Sequence, residues 1–79
     1  MASFTSELLL KIRSLRARRK LSQTELADHL GISQPAYSKI EAGETDIKLS
    51  HLESISTALD IPLDQLIVQP VDDLVQRTA

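Results

Sequence analysis

The chain has 79 residues, 42% hydrophobic and 25% charged, with one Phe, one Tyr, no Trp and no Cys. That is the balance of one small globular domain, and it excludes a disordered chain, a disulfide framework and thiolate chemistry. The formal net charge is −2, yet residues 1–40 hold seven Lys or Arg against three acids, and residues 41–79 hold two against eight. A chain polarised in this way can present one basic and one acidic face.

The core must be built from Leu, Ile, Val and Ala. A domain of this size buries only roughly 60–65% of its unfolded surface, so a partner subunit would add stability. The longest apolar runs are a few residues, far short of a membrane span. Near the N-terminus three leucines are followed at once by charges, which is not the pattern of a signal peptide. A cytoplasmic protein is the expectation.

Five helices are predicted, over residues 6–68, between tails at 1–5 and 69–79. The first runs from about Ser6 to Lys20: Leu8, Ile12 and Leu15 recur at helical spacing. Thr5 or Ser6 can cap it, and Glu7 suits its positive end. Arg16, Arg18, Arg19 and Lys20 gather at its negative end. The second runs from about Gln23 to Leu30. Ser22-Gln-Thr-Glu25 has the spacing of a capping box, and Gly31 suits a left-handed helix end. The third runs from about Gln34 to Ala42, capped by Ser33, with Pro35 in the first turn where a missing N–H costs nothing. Gly43 ends it.

A polar loop, Glu44 to Lys48, leads to a second capping-box pattern, Ser50-His-Leu-Glu53. The fourth helix then runs to about Asp60 with Leu52, Ile55, Ala58 and Leu59 as its buried stripe. A short fifth helix, Leu63 to Val68, follows Pro62, and Pro70 should stop any continuation. No segment alternates with period two over a useful length, so no sheet is expected.

Two short helices joined by a tight Gly turn form a helix-turn-helix, here over residues 23–42. Ala27 must be small where the second helix of the pair crosses it. Gly31 must tolerate positive φ. Ile32 and Ile40 fill the angle, and Tyr37 packs inward, provided its hydroxyl reaches the surface. Gln34, Pro35, Ser38 and Lys39 then face outward, free to enter a major groove.

The motifs SQTELA, LGIS, S-K-I-E-x-G and L-x-x-I-x-x-A-L-D-I occur in order over about residues 12 to 67. In this the chain resembles the Cro and phage-repressor, or XRE, type of helix-turn-helix protein. The resemblance implies an all-α, five-helix bundle of the lambda-repressor-like DNA-binding type. It implies a DNA-contacting set of Gln23, Ser33, Gln34, Pro35, Ser38 and Lys39. Gln23 would bond a phosphate and brace the recognition helix. Gln34 would read a base, as glutamine reads adenine through N6 and N7. Ser38 and Lys39 would touch base edges or phosphate, and Ser33 doubles as a cap. Arg16 and Glu41 resemble an ion pair tying the first helix to the third. Two departures stand out: Tyr37 replaces the family's usual Val or Ile, and Pro35 replaces a polar residue, leaving only an apolar contact with a thymine methyl.

The leading expectation is a homodimeric regulator on a pseudo-palindromic operator, as in controller proteins and compact repressors. Leu63, Leu66, Ile67 and Val71 are the candidate dimer contact, since they offer more apolar surface than so small a core needs. The competing expectation is an antitoxin-like module whose acidic half also holds a protein partner, a toxin or a polymerase subunit. No cofactor or metal is expected, because His29 and His51 lie alone on different helices. Without a Cys, a metal-ligand cluster, a Gly-rich phosphate loop or a recognisable Ser–His pairing, an enzyme is not expected either.

Overall fold

The computed structural model describes residues 3–68, and within them the chain is all-helical. The helices are α1 (Phe4–Arg18), α2 (Gln23–Leu30), α3 (Gln34–Glu41), α4 (Leu49–Leu59) and α5 (Leu63–Val68). α2 packs against α3 and α4, α1 lies across α3 and α4, and α5 closes onto α4.

The apolar stripes meet in one core. Leu8, Ile12 and Leu15 enter it from α1, Leu26 and Ala27 from α2, Tyr37 from α3, and Leu52, Ile55 and Leu59 from α4. Ile61 and Leu66 complete it. Leu66 is 0% exposed within its own chain. It therefore cannot offer the dimer contact expected of it, because its side chain is already spent on the core. Leu63 and Ile67 are half-buried, and Val68 is exposed. Val71 lies outside the described residues.

α1 starts before the predicted Ser6. Ser3, not Thr5 or Ser6, is its cap: the Ser3 hydroxyl accepts from the Ser6 amide at 3.1 Å. Three hydroxyl residues in four positions offer rival caps, and the one furthest upstream wins. α1 also stops earlier than predicted, at Arg18, because Lys20 turns left-handed at φ 58°. The Leu21 N–H then donates to the Arg16 carbonyl at 3.0 Å, and the Lys20 N–H donates to Ala17 at 3.0 Å. The same paired closure ends α2 at Gly31, α3 at Gly43 and α4 at Asp60.

α4 begins at Leu49, so Ser50 lies inside its first turn and is not the cap. His51 serves instead. Its Nδ1 accepts from the Lys48 amide at 3.0 Å, the role a Glu takes in a capping box. The Lys48 ammonium cannot accept in return, so the box is one-sided.

α5 is a six-residue helix, too short to persist unaided. Beside the core contact of Leu66, the Lys11 ammonium on α1 donates to the carbonyls of Leu66 at 2.7 Å and Ile67 at 3.3 Å. Burial of the ammonium lowers the Lys11 pKa, and nearby Glu7 partly opposes this.

Candidate nucleic-acid interface

The second and third helices are held at a fixed angle by local chemistry. The Ser22 hydroxyl accepts from the Glu25 amide at 3.0 Å, and the Glu25 carboxylate accepts from the Ser22 amide at 3.1 Å. Gly31 sits at φ 71°, a conformation a side chain strains to adopt. The Ser33 hydroxyl accepts from the Ala36 amide at 3.2 Å and opens α3. Ala27, Tyr37 and Ile40 are buried at the crossing, and Ile32 packs against the core at its edge.

One side of α3 is therefore committed inward, through Tyr37, Ile40 and Glu41. The other side holds exposed Gln34, Pro35 and Lys39, with Ser38 half-buried between them and exposed Ser33 at its start. Gln23, at the start of α2, is half-buried beside this row.

A polar relay lies beneath the row. Arg16 on α1 meets Glu41 through two parallel hydrogen bonds, Nε to Oε2 at 3.0 Å and Nη2 to Oε1 at 2.9 Å. Its Nη1 donates to the Leu21 carbonyl at 2.9 Å. The two side chains are 16% and 3% exposed, which makes this a planar, bidentate pair shielded from water. Gln23 Nε2 donates to Glu41 Oε1 at 3.3 Å, and Gln34 Nε2 donates to Gln23 Oε1 at 2.8 Å. The relay thus runs from a core ion pair to the first residue of α3.

Burial alone would raise the Glu41 carboxyl, but the donors around it, Arg16 foremost, hold its pKa below the usual carboxylate value. The same hydrogen bond raises Arg16, against the opposing effect of burial. Tyr37 departs from expectation. Its hydroxyl does not reach the surface: the residue is 0% exposed. The oxygen ends in the field of Glu41 without completing a hydrogen bond. Burial first, and the adjacent carboxylate second, push its pKa far up, so the phenol stays protonated.

A cleft of about 300 Å³ opens where α1, α2 and α3 meet, lined by Arg13, Arg16, Gln23, Ser38, Glu41 and Ala42. Arg13 thus shares this cleft with Gln23 and Ser38. The sequence shows Arg13 only as one of a basic cluster, and helical spacing does not single it out, since Arg19 and Lys20 also stand three and four residues from Arg16. Among the described residues no group of three or more His, Cys, Asp or Glu is placed to hold a metal ion, and no helix is long and apolar enough to cross a membrane.

A family model described as Helix-turn-helix matches residues 12–66. Over 56 residues the chain is 39% identical to an uncharacterized HTH-type transcriptional regulator, YqaE, of Bacillus subtilis (strain 168), covering 71% of this chain and 48% of that protein. Over 57 residues it is 33% identical to a cryptic phage CTXphi transcriptional repressor, RstR, of Vibrio cholerae, covering 72% and 51%. The chain spans about half the length of these curated relatives. With the paired helices, the Gly31 turn and the matched residues agreeing, the chain belongs to the Cro and phage-repressor, or XRE, type of helix-turn-helix family.

Proposed function

We propose that the chain is a sequence-specific DNA-binding transcription regulator that inserts α3 into the major groove. One observation carries this reading: α3 buries one side in the core while Gln34, Pro35 and Lys39 stand exposed on the other. Gln34 is the base reader, Lys39 and Ser38 meet base edges or phosphate, and Pro35 supplies an apolar contact. Gln23 and Arg13, flanking the cleft, bind the phosphate backbone and set the register. Two chains act together on a pseudo-palindrome, with recognition helices about 34 Å apart. Exposed Val68 and half-buried Ile67 and Leu63 form the contact between them. The relatives' names, a transcriptional regulator and a transcriptional repressor, support a regulatory and non-enzymatic role. DNA as the partner fits a cytoplasmic setting.

The test is a salt-titrated binding isotherm. The wild-type chain first selects its preferred duplex from a randomised pool, and that duplex is then compared with random sequence. Tight, sequence-dependent binding with a steep negative salt slope supports the reading. Gln34→Ala should reduce preference for the selected site. Lys39→Ala and Arg13→Ala should each weaken all duplexes alike and flatten the salt slope by about one. An isotherm with two bound chains, lost in Ile67→Asp, supports the dimer. No binding even at low salt sinks the reading and directs the search to a protein partner.

A further inference from the structure

The geometry points to Glu41, a buried residue beneath the exposed row of α3, as the positioning residue that sets the base preference of Gln34. This rests on the reading that Gln34 faces a base. A carboxylate can only accept hydrogen bonds. Gln23, meeting Glu41, must therefore turn its Nε2 inward. Its Oε1 is turned to Gln34, and that end can only accept. Gln34 must answer with its own Nε2. The orientation of both amides follows from chemistry at the buried end of the relay, and Arg16 keeps Glu41 in its charged, acceptor-only form.

The consequence lies at the exposed end. With one Nε2–H committed to Gln23, Gln34 offers the groove one N–H and one carbonyl oxygen. That is the complement of adenine, which presents N7 as acceptor and N6–H as donor. Guanine presents two acceptors, N7 and O6, and a Gln34 so oriented cannot satisfy both. An amide in place of Glu41 could offer Gln23 either an oxygen or an N–H. The relay would then no longer compel either glutamine, and guanine would be admitted.

The experiment compares base preference, position by position, for the wild type, Gln34→Ala, Glu41→Gln and Gln23→Met, on single-base variants of the duplex that the wild type selects. Gln34→Ala identifies the base pair that Gln34 reads. At that pair alone, Glu41→Gln should lose about tenfold discrimination of adenine from guanine, within the range of one bidentate contact. Preference elsewhere should hold. Affinity for random duplex should not fall, because the change removes a negative charge. Gln23→Met cuts the relay while leaving the Arg16–Glu41 pair intact, so it gives the same loss of discrimination at that pair even if Glu41→Gln folds poorly, together with a weaker binding of all duplexes from the lost phosphate contact. Unchanged preference at the mapped pair in Glu41→Gln or in Gln23→Met, or a loss of discrimination in Glu41→Gln spread evenly over all positions, overturns the assignment of Glu41. If Gln34→Ala alters no position, the base-reader reading itself falls, and this assignment with it; that result is told apart by the Gln34 variant alone.

Discussion

One apolar core runs through all the described helices, but the two halves of the domain differ in what is added to it. Around α2 and α3, a charged and amide relay runs from Arg16 through Glu41 and Gln23 to Gln34. Around α4 and α5, Leu52, Ile55, Leu59, Ile61 and Leu66 meet through shape and burial. Apolar contacts resist unfolding but say little about the orientation of a polar tip. Hydrogen bonds contribute less net stability, yet they fix donor and acceptor directions. The difference teaches where orientation is needed: the relay lies under the outward row of α3, and the apolar half serves as its foundation.

The sharpest way to break the contrast is at the foundation. Leu59→Ala empties a fully buried position and should cost about 3 kcal/mol, read from urea denaturation, with no dependence on pH between 3 and 7 beyond that of the wild type. A smaller loss would mean that the α4 stripe collapses around the gap.

The relay should answer differently. Glu41→Ala leaves Arg16 half-buried and unpaired, and should cost about 2–3 kcal/mol, at or below the low end for broken buried pairs because Arg16 keeps some solvent access. The pH response follows from the lowered Glu41 pKa. An acid whose folded pKa lies below its unfolded value binds more protons unfolded. Its stabilisation is complete above the ordinary 4.5 and is lost as pH falls from there through the lower folded value. Wild-type stability should decline in that window, and the decline should be shallower in Glu41→Gln. Equal slopes in the two proteins would remove Glu41 from the account.

The smallest effect has the opposite sign. Lys20 is left-handed at φ 58°, where a side chain is strained and glycine is not. Lys20→Gly should stabilise by about 0.5–1 kcal/mol, offset in part by the greater freedom of glycine in the unfolded chain. A thermal melt that shifts downward would show that the Lys20 stem contributes packing that outweighs its strain.

These cases also show what the sequence carried. α2, α3 and α5 are legible because their starts are written in residue types: Ser22 with Glu25, Ser33 with Pro35, and Pro62. The left-handed ends at Gly31 and Gly43 are legible for the same reason. Lys20 and Asp60 take the same backbone turn without glycine to announce it, and the helical pattern of α1 therefore overruns its end at Arg18 by two residues. His51 as the partner of the Lys48 amide at the start of α4 is hidden because Ser50 and Glu53 mimic a capping box two residues downstream. The buried Tyr37 hydroxyl was misjudged, since the reading of an inward ring with an outward tip needs a length of free path that the Arg16–Glu41 pair already fills. The family resemblance implies the Gln23 brace, the Gln34 base reader and the Arg16–Glu41 pair separately, and only the structure joins them into one relay. The contact between Gln23 and Gln34 spans eleven positions, and no periodicity links two residues on different helices.

The Lys11 bond to the end of α5 joins residues 55 positions apart. It makes the last described turn a reporter on the first helix. If α5 could fray independently, its amide hydrogens would exchange with solvent far sooner than those of α1. Tied at its terminal carbonyls and anchored by Leu66, it should belong instead to the same cooperative unit, and hydrogen exchange should then show its protected amides opening only with the whole domain. A six-residue helix thereby inherits the lifetime of the core to which it is fastened.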